Sequence, residues 1–202
     1  MRGRRAEAVR NDQRLLSEAR EVLVAAPDAP MSHVASRAGV GVATLYRRYP
    51  SKAALVAAVW LDSVRGLEAD AAVALDRART YPWGAFVGFM TTTVASGAGA
   101  LVATLTGAFT PTDELVSAER RLRAALQELL DCTQAARAVR ADITAVDVEL
   151  LFEQLHALRA GDPHREASLR RRHLELVLQA LRAPGAAPLP GPPPTAQELR
   201  RR

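Results

Sequence analysis

Apolar positions recur every three or four residues along most of the chain, and prolines and glycines cut it into helical segments. Leu15, Leu16, Ala19, Val22 and Leu23 share one face of a helix over residues 11–26, which Pro27 and Pro30 close. Val34, Ala35, Ala38, Val40, Leu45 and Tyr49 then form the inward set of two short helices joined by a tight turn at Gly39, the pattern of a helix-turn-helix. Pro50-Ser51 ends that unit and opens a long helix over about residues 52–75. Ser51 is its cap, and Leu55, Val56, Val59, Trp60 and Val64 form its buried face.

Beyond Tyr81-Pro82 the periodicity predicts helices over about 83–96 and 100–109, split at Gly97-Ala98-Gly99. Another follows over 113–138, with Leu115, Leu122, Leu126 and Leu129 opposite a charged face. A helix over 145–160 carries Val148, Leu151, Phe152 and Leu155 and stops at Gly161-Asp162-Pro163. The last helix, over 164–182, carries Leu169, Leu174, Leu176, Val177, Leu178 and Leu181. These cover more than one face, more apolar surface than a lone chain usually leaves in water. From Ala183 the sequence APGAAPLPGPPPTAQ holds six of the chain's 12 prolines and is expected to be disordered or polyproline-like.

Hydrophobic residues make up 49% of the 202 residues and aromatics only 4%, with Ala and Leu dominant, so an all-α fold of helices packed on helices is expected. Residues Thr80 to Thr112 carry no charge. Five glycines, two prolines and eight threonines interrupt that run, so it reads as two buried helices and not as a membrane span. The net charge of +5 is unevenly placed: residues 1–52 hold 10 Lys+Arg against 5 Asp+Glu, and residues 53–202 hold 17 of each. The excess therefore coincides with the helix-turn-helix, the footprint of a polyanion binder, although a solvated basic surface has the same signature.

The outward set of the second short helix is Val42, Ala43, Thr44, Tyr46, Arg47 and Arg48: a hydroxyl, a phenol and two guanidinium groups with no acid, suited to a phosphate-lined groove. Lys52, the single lysine among 27 basic residues, stands at a helix start where an ammonium can meet a phosphate or simply face water. Arg2, Arg4, Arg5 and Arg10 make residues 1–10 a basic arm, expected to be flexible, which either enters a minor groove or remains a solvated tail.

Catalytic and metal signatures do not emerge. His33, His156, His164 and His173 lack ligand spacing, and Cys132 has no partner thiol. Gly39-Val40-Gly41 follows a helix instead of a strand. No enzyme activity, cofactor or metal is expected. The lone cysteine and an N-terminal stretch without an apolar core, Met1 to Arg14, point to a reducing, cytoplasmic setting.

The stretch RAGVGVATLYRRYPSKAAL resembles the signature of the TetR/AcrR family of bacterial transcriptional regulators. Ala38-Gly39-Val40, Thr44-Leu45-Tyr46, Tyr49, Pro50-Ser51-Lys52 and Leu55 carry the likeness. It departs in Pro30-Met31 where a helix-opening Ser or Thr is usual, in Gly41 for serine, in Tyr49 for phenylalanine, and in the length of the uncharged run. The resemblance implies a nine-helix, Ω-shaped homodimer. It has a DNA-binding domain over 11–52, a ligand-binding and dimerisation domain over 53–182, and a Pro-rich tail over 183–202.

The same likeness implies a repressor that leaves a roughly palindromic operator on binding a small molecule. The alternative is a DNA-binding regulator without such an effector, controlled by a protein partner. By position, Thr44, Tyr46 and Lys52 match phosphate contacts, and Val42, Ala43 and Arg47 match base-edge positions. For Arg47, guanine readout and a phosphate contact both fit. The last two helices would pair with their mates through Leu151, Leu155, Leu174, Val177, Leu178 and Leu181. Trp83, Phe86, Phe89, Met90, Thr93, Phe109, Phe152 and His156 are candidates for a pocket, with plain core packing the other reading of each. The charge-free run predicts a largely uncharged effector.

Overall fold

The computed structural model describes the backbone of residues 2–105, 109–110, 112–183, 185 and 187–199, and side chains over 11–99, 101–102, 109–110, 112–183, 185 and 187–198. Among the described residues there are ten helices: α1 (Arg2–Ala25), α2 (Met31–Ala38), α3 (Val42–Arg48), α4 (Lys52–Ala78), α5 (Pro82–Ser96), α6 (Ala98–Leu105), α7 (Asp113–Ala135), α8 (Ala145–His156), α9 (Pro163–Leu181) and a single turn, α10 (Ala196–Leu199). An isolated antiparallel bridge joins Val139 to Arg182. The all-α architecture follows the periodicity, with nine substantial helices and one additional turn in the tail.

Two buried clusters hold the helices together. The first gathers Leu15, Ala19 and Leu23 of α1, Val34 and Ala35 of α2, Leu45 of α3 and Leu55, Val59, Trp60 and Val64 of α4. Leu101 of α6 and Leu115 and Ala118 of α7 complete it. The second takes Ala71, Ala74 and Ala78 from the far end of α4 and packs them with α5, α7, α8 and α9. Helix α4 is 27 residues long, about 40 Å at 1.5 Å per residue, and its two ends lie in different cores. The helix-turn-helix therefore shares its core with α6 and α7, so it is not an independent lobe.

Several boundaries differ from the periodic reading. Helix α1 begins at Arg2 instead of near residue 11, because Arg, Ala and Glu are strong helix formers. The arm's arginine side chains lie outside the described residues, as do residues 106–108 of the helix expected over 100–109. Helix α7 stops at Ala135, three residues early. Arg137 adopts a left-handed φ of 54°, and the Ala138 and Val139 amides both donate to the Thr133 carbonyl, at 2.9 and 3.3 Å. The reversal buries Val139 against the end of α9. Helix α8 stops at His156, where Arg159 donates to the His156 and Leu158 carbonyls and Arg170 to the Leu158 carbonyl.

The residues expected at the dimer face differ in burial within one chain. Leu155, Leu174, Leu178 and Leu181 are buried in the second core of one chain, and Leu151 and Val177 pack half-buried against it. The stripe 174, 178, 181 is used to seat α9 on its own α5 and α8, so these leucines are not a free surface. The outward apolar residue of α9 is Leu176, 58% exposed.

The tail is anchored at its start. The nearly buried Arg140 guanidinium forks onto Asp142 at 2.6 and 2.9 Å and also donates to the carbonyls of Ala180, at 3.2 Å, and Ala187, at 2.6 Å. Asp142 accepts the Leu189 amide at 2.9 Å. An open groove of about 580 Å³ lies here, lined by Gln134, Arg137, Asp142 and Pro188 among others.

Candidate nucleic-acid interface

The turn between α2 and α3 depends on one backbone angle. Gly39 closes α2 with φ 67° and ψ 30°, and the Val40 amide donates back to the Ala35 carbonyl at 3.0 Å. A side chain at Gly39 would be strained in this left-handed conformation, which is why glycine stands there. The departures noted at the helix starts are visible: neither Pro30 nor Gly41 supplies a side-chain cap. A Cβ at Gly41 would meet only the Thr44 hydroxyl at 3.7 Å, so the position has room for the serine it lacks.

Helix α3 is seven residues long, and Leu45 is its one buried side chain. That residue seats the helix, and its other side chains are exposed. Val42 and Tyr46 are 41% and 47% exposed, and Ala43, Thr44, Arg47 and Arg48 are exposed as well. Lys52 is half-buried in the first turn of α4, which Ser51 caps by accepting the Ala54 amide at 3.1 Å. The structure thus brings Val42, Ala43, Thr44, Tyr46, Arg47 and Lys52 to one end of the molecule.

Arg48 is different. Its guanidinium is ion-paired with Asp12 of α1. The Tyr49 hydroxyl donates to the same carboxylate at 3.5 Å. Burial raises the Tyr49 phenol pKa, and the neighbouring Arg48 charge works in the opposite direction. Around this core Arg20 pairs with Asp62 at 2.8 Å, tying α1 to α4, and Arg37 pairs with Glu21 at 3.5 Å. No acid pairs with Arg47 or Lys52 among the described residues. Arg20, Arg37 and Arg48 therefore meet acids within the fold, whereas Arg14, Arg47 and Lys52 have no acid partner among the described residues. Asp12 had no periodic signal to mark it, since a carboxylate on α1 is ordinary until α3 is folded against it.

The pocket candidates divide. Phe86, Phe89, Met90, Thr93, Phe152 and His156 are buried together, with Phe89 and Phe152 edge to face at 6.2 Å. His156 Nδ1 lies 2.9 Å from the Phe152 carbonyl, which can only accept, so Nδ1 carries the proton. Burial lowers the His156 pKa. The Thr93 hydroxyl is buried without a hydrogen-bond partner among the described residues. Trp83 stands at the edge of this group under the Arg182 guanidinium, 5.3 Å from the ring centre. Phe109 does not join it. That ring packs on Trp60 at 5.6 Å, in the first core.

The N-terminal segment matches the family described as bacterial regulatory proteins, tetR family, over residues 15–59. Residues 81–183 match the C-terminal domain described as transcriptional regulator SbtR-like. A TetR transcription regulatory protein from Mycobacterium vanbaalenii is 34% identical, with a TM-score of 0.62 over 88% of this chain and 98% of its own. The chain belongs to the TetR family of transcriptional regulators.

A second TetR regulator, from Streptomyces coelicolor, is 26% identical with a TM-score of 0.64, covering 86% of this chain and 99% of its own. The TetR family regulator PfmR from Thermus thermophilus, at 19% identity and a TM-score of 0.54 over 82% and 97% of the two chains, shares the fold. No curated protein matches the chain. As a TetR-family regulator it binds DNA, and α2 and α3 form its helix-turn-helix. No helix among the described residues is long and apolar enough to cross a membrane.

Proposed function

We propose that this TetR-family protein is a homodimeric, cytoplasmic repressor that binds a roughly palindromic operator and is released by a small, largely uncharged ligand. A recognition helix of seven residues reaches only about 10 Å, enough for three or four base pairs, so useful specificity needs two copies related by a two-fold axis. Arg47 reads a guanine edge, while Thr44, Tyr46 and Lys52 hold phosphates and set the register. Leu176 and its neighbours on the outward face of α9, together with α8, supply the contact between subunits.

The observation that carries ligand release is the joint between α4 and α6. Trp60 Nε1 of α4 donates to the Val102 carbonyl of α6 at 3.2 Å, and Leu101 of α6 is buried in the same core as Leu45 of α3. Helix α6 also lies against α8, since a Cβ on Gly99 would come within 3.2 Å of Phe152 and Thr93. A ligand that separates α6 from Phe152 and Thr93 would pull on Trp60, and through α4 on the spacing of the recognition helices. The Thr93 hydroxyl, without a partner among the described residues, supports a ligand with one hydrogen-bonding group, because leaving it buried and unmet costs about 1–3 kcal/mol. The surrounding aromatic and Met side chains favour an otherwise apolar molecule.

Selection of bound sequences from random duplexes would define the operator, and a thermal-shift screen would then find ligands. A compound that stabilises the protein should also free the operator. Stabilising compounds that leave operator affinity unchanged would reject the release reading. A second reading, control by a protein partner, is favoured by how closely Phe86, Phe89, Met90 and Phe152 fill the space between α5 and α8.

A further inference from the structure

We propose that Asp12 is the positioning residue of the recognition helix, and that Arg48, pinned to it, is an internal anchor and not a contact to DNA. This rests on α3 being the DNA-reading element. Leu45 is the single buried side chain of α3, so one point along its length seats the helix. A second fixed point at one end sets its direction. Asp12 provides it: Arg48, the last residue of α3, and Tyr49, the residue that caps it, both reach the same carboxylate. Asp12 lies three residues before Leu15 and seven before Ala19, on the face of α1 that packs inward. The carboxylate therefore lies on the side of α1 that faces the shared core, where Arg48 and Tyr49 reach it.

The charge pattern agrees. Arg48 has its acid within the fold, whereas Arg47 next to it has none among the described residues. A phosphate contact by Arg48 would first require breaking its pair with Asp12 and leaving that carboxylate facing the DNA backbone. Tyr49 completes the set. Its hydroxyl, absent in the phenylalanine more frequent at this position of the motif, meets both members of the Asp12–Arg48 pair.

The test uses the full chain with Asp12→Ala, Arg48→Ala, their double variant and the charge swap Asp12→Arg/Arg48→Asp. Each is titrated with the selected operator and with a random duplex of equal length over a range of salt. Each single variant should lower the operator-to-random preference by about two- to fivefold per subunit, the range for a half-exposed ion pair. The double variant should be no worse than either single, and the swap should recover much of the loss. The salt slope on random DNA should be the same for Arg48→Ala as for the unaltered protein.

A slope reduced by about one per subunit in Arg48→Ala, with tighter binding in Asp12→Ala, would identify a phosphate contact and overturn the proposal. Additive losses, or singles without effect, would overturn it too. If Asp12→Ala melts below the assay temperature, Asp12→Asn and Tyr49→Phe probe the same anchor with less disturbance. Tyr49→Phe should weaken operator preference without altering the salt slope, and no change in either variant rejects the anchor. Failure of the unaltered protein to bind either duplex would reject the DNA-reading face itself, a separate result.

Discussion

Gly99 offers a test in which two effects of known size oppose each other. It is buried near the start of α6, and replacing it by Ala would ordinarily stabilise a helix by up to about 1 kcal/mol. Here the new methyl would lie 3.2 Å from Phe152 Cβ and Cγ and 3.2 Å from Thr93 Cγ2. The Phe152 atoms adjoin the backbone of α8 and sit in the second core, so they cannot swing away as a side-chain tip would. Overpacking of this kind costs about 1–3 kcal/mol, which matches or exceeds the helix gain, so the gain is lost and net destabilisation of up to about 2 kcal/mol is expected. For a chain of this length that lowers the melting temperature by up to about 8 °C at fixed protein concentration. Gly66→Ala in α4 is the control: a methyl there meets nothing within 4 Å and should stabilise by about 0.5–1 kcal/mol. Calorimetry of both variants decides the matter. A Gly99→Ala protein as stable as Gly66→Ala would show that α6 and α8 are not in close contact, and the proposed relay from Phe152 through α6 to Trp60 would lose its first link.

Arg47→Ala should weaken operator binding selectively, by about 1–3 kcal/mol if the guanidinium is bidentate on guanine, while Lys52→Ala should weaken all duplexes and lower the salt slope. Equal losses of Arg47→Ala on operator and random DNA would reject base readout. Leu176→Glu should dissociate the dimer in sedimentation while each chain remains folded. Leu178→Glu, by contrast, places a charge in the second core and should unfold the chain, and a folded monomer from it would contradict the burial of α9. His156 makes stability depend on pH in a direction set by its depressed pKa, caused first by burial and then opposed only in part by the Phe152 carbonyl, with Arg170 and Arg159 adding to the depression. The unfolded chain takes up the proton near pH 6.5 and the folded chain only at lower pH, so this contribution is complete above about 6.5 and is lost as pH falls. His156→Gln should flatten the decline below about pH 6.5 in urea denaturation, whereas an unchanged slope would assign the acid sensitivity elsewhere.

The residues whose role is local were legible before folding. Gly39 needs a left-handed angle whatever surrounds it, Ser51 caps the helix that follows it, and Leu45 is the apolar position on a short polar helix. The exposed set Val42, Ala43, Thr44, Tyr46 and Arg47 follows from Leu45 alone, since burying one face of a short helix turns the others outward. Pairings between distant segments were not legible. Arg48 and Asp12 are 36 positions apart, and nothing in either neighbourhood marks one arginine as paired and Arg47 as free. Phe109 reads like the other aromatics of the uncharged run until the chain turns it towards Trp60. Leu174, Leu178 and Leu181 form an apolar stripe whose partner periodicity cannot name, and here it is the chain's own second core.

Helical periodicity, glycine and proline punctuation and the charge imbalance of residues 1–52 thus determined an all-α chain with a DNA-reading turn near its beginning, because each depends on neighbours within a few residues. Tertiary structure alone decided which cations remain available and which leucines lie inside. It also brought α6 against α4 and α8, because ion pairs and cores are chosen by the three-dimensional arrangement of segments that periodicity treats as equivalent.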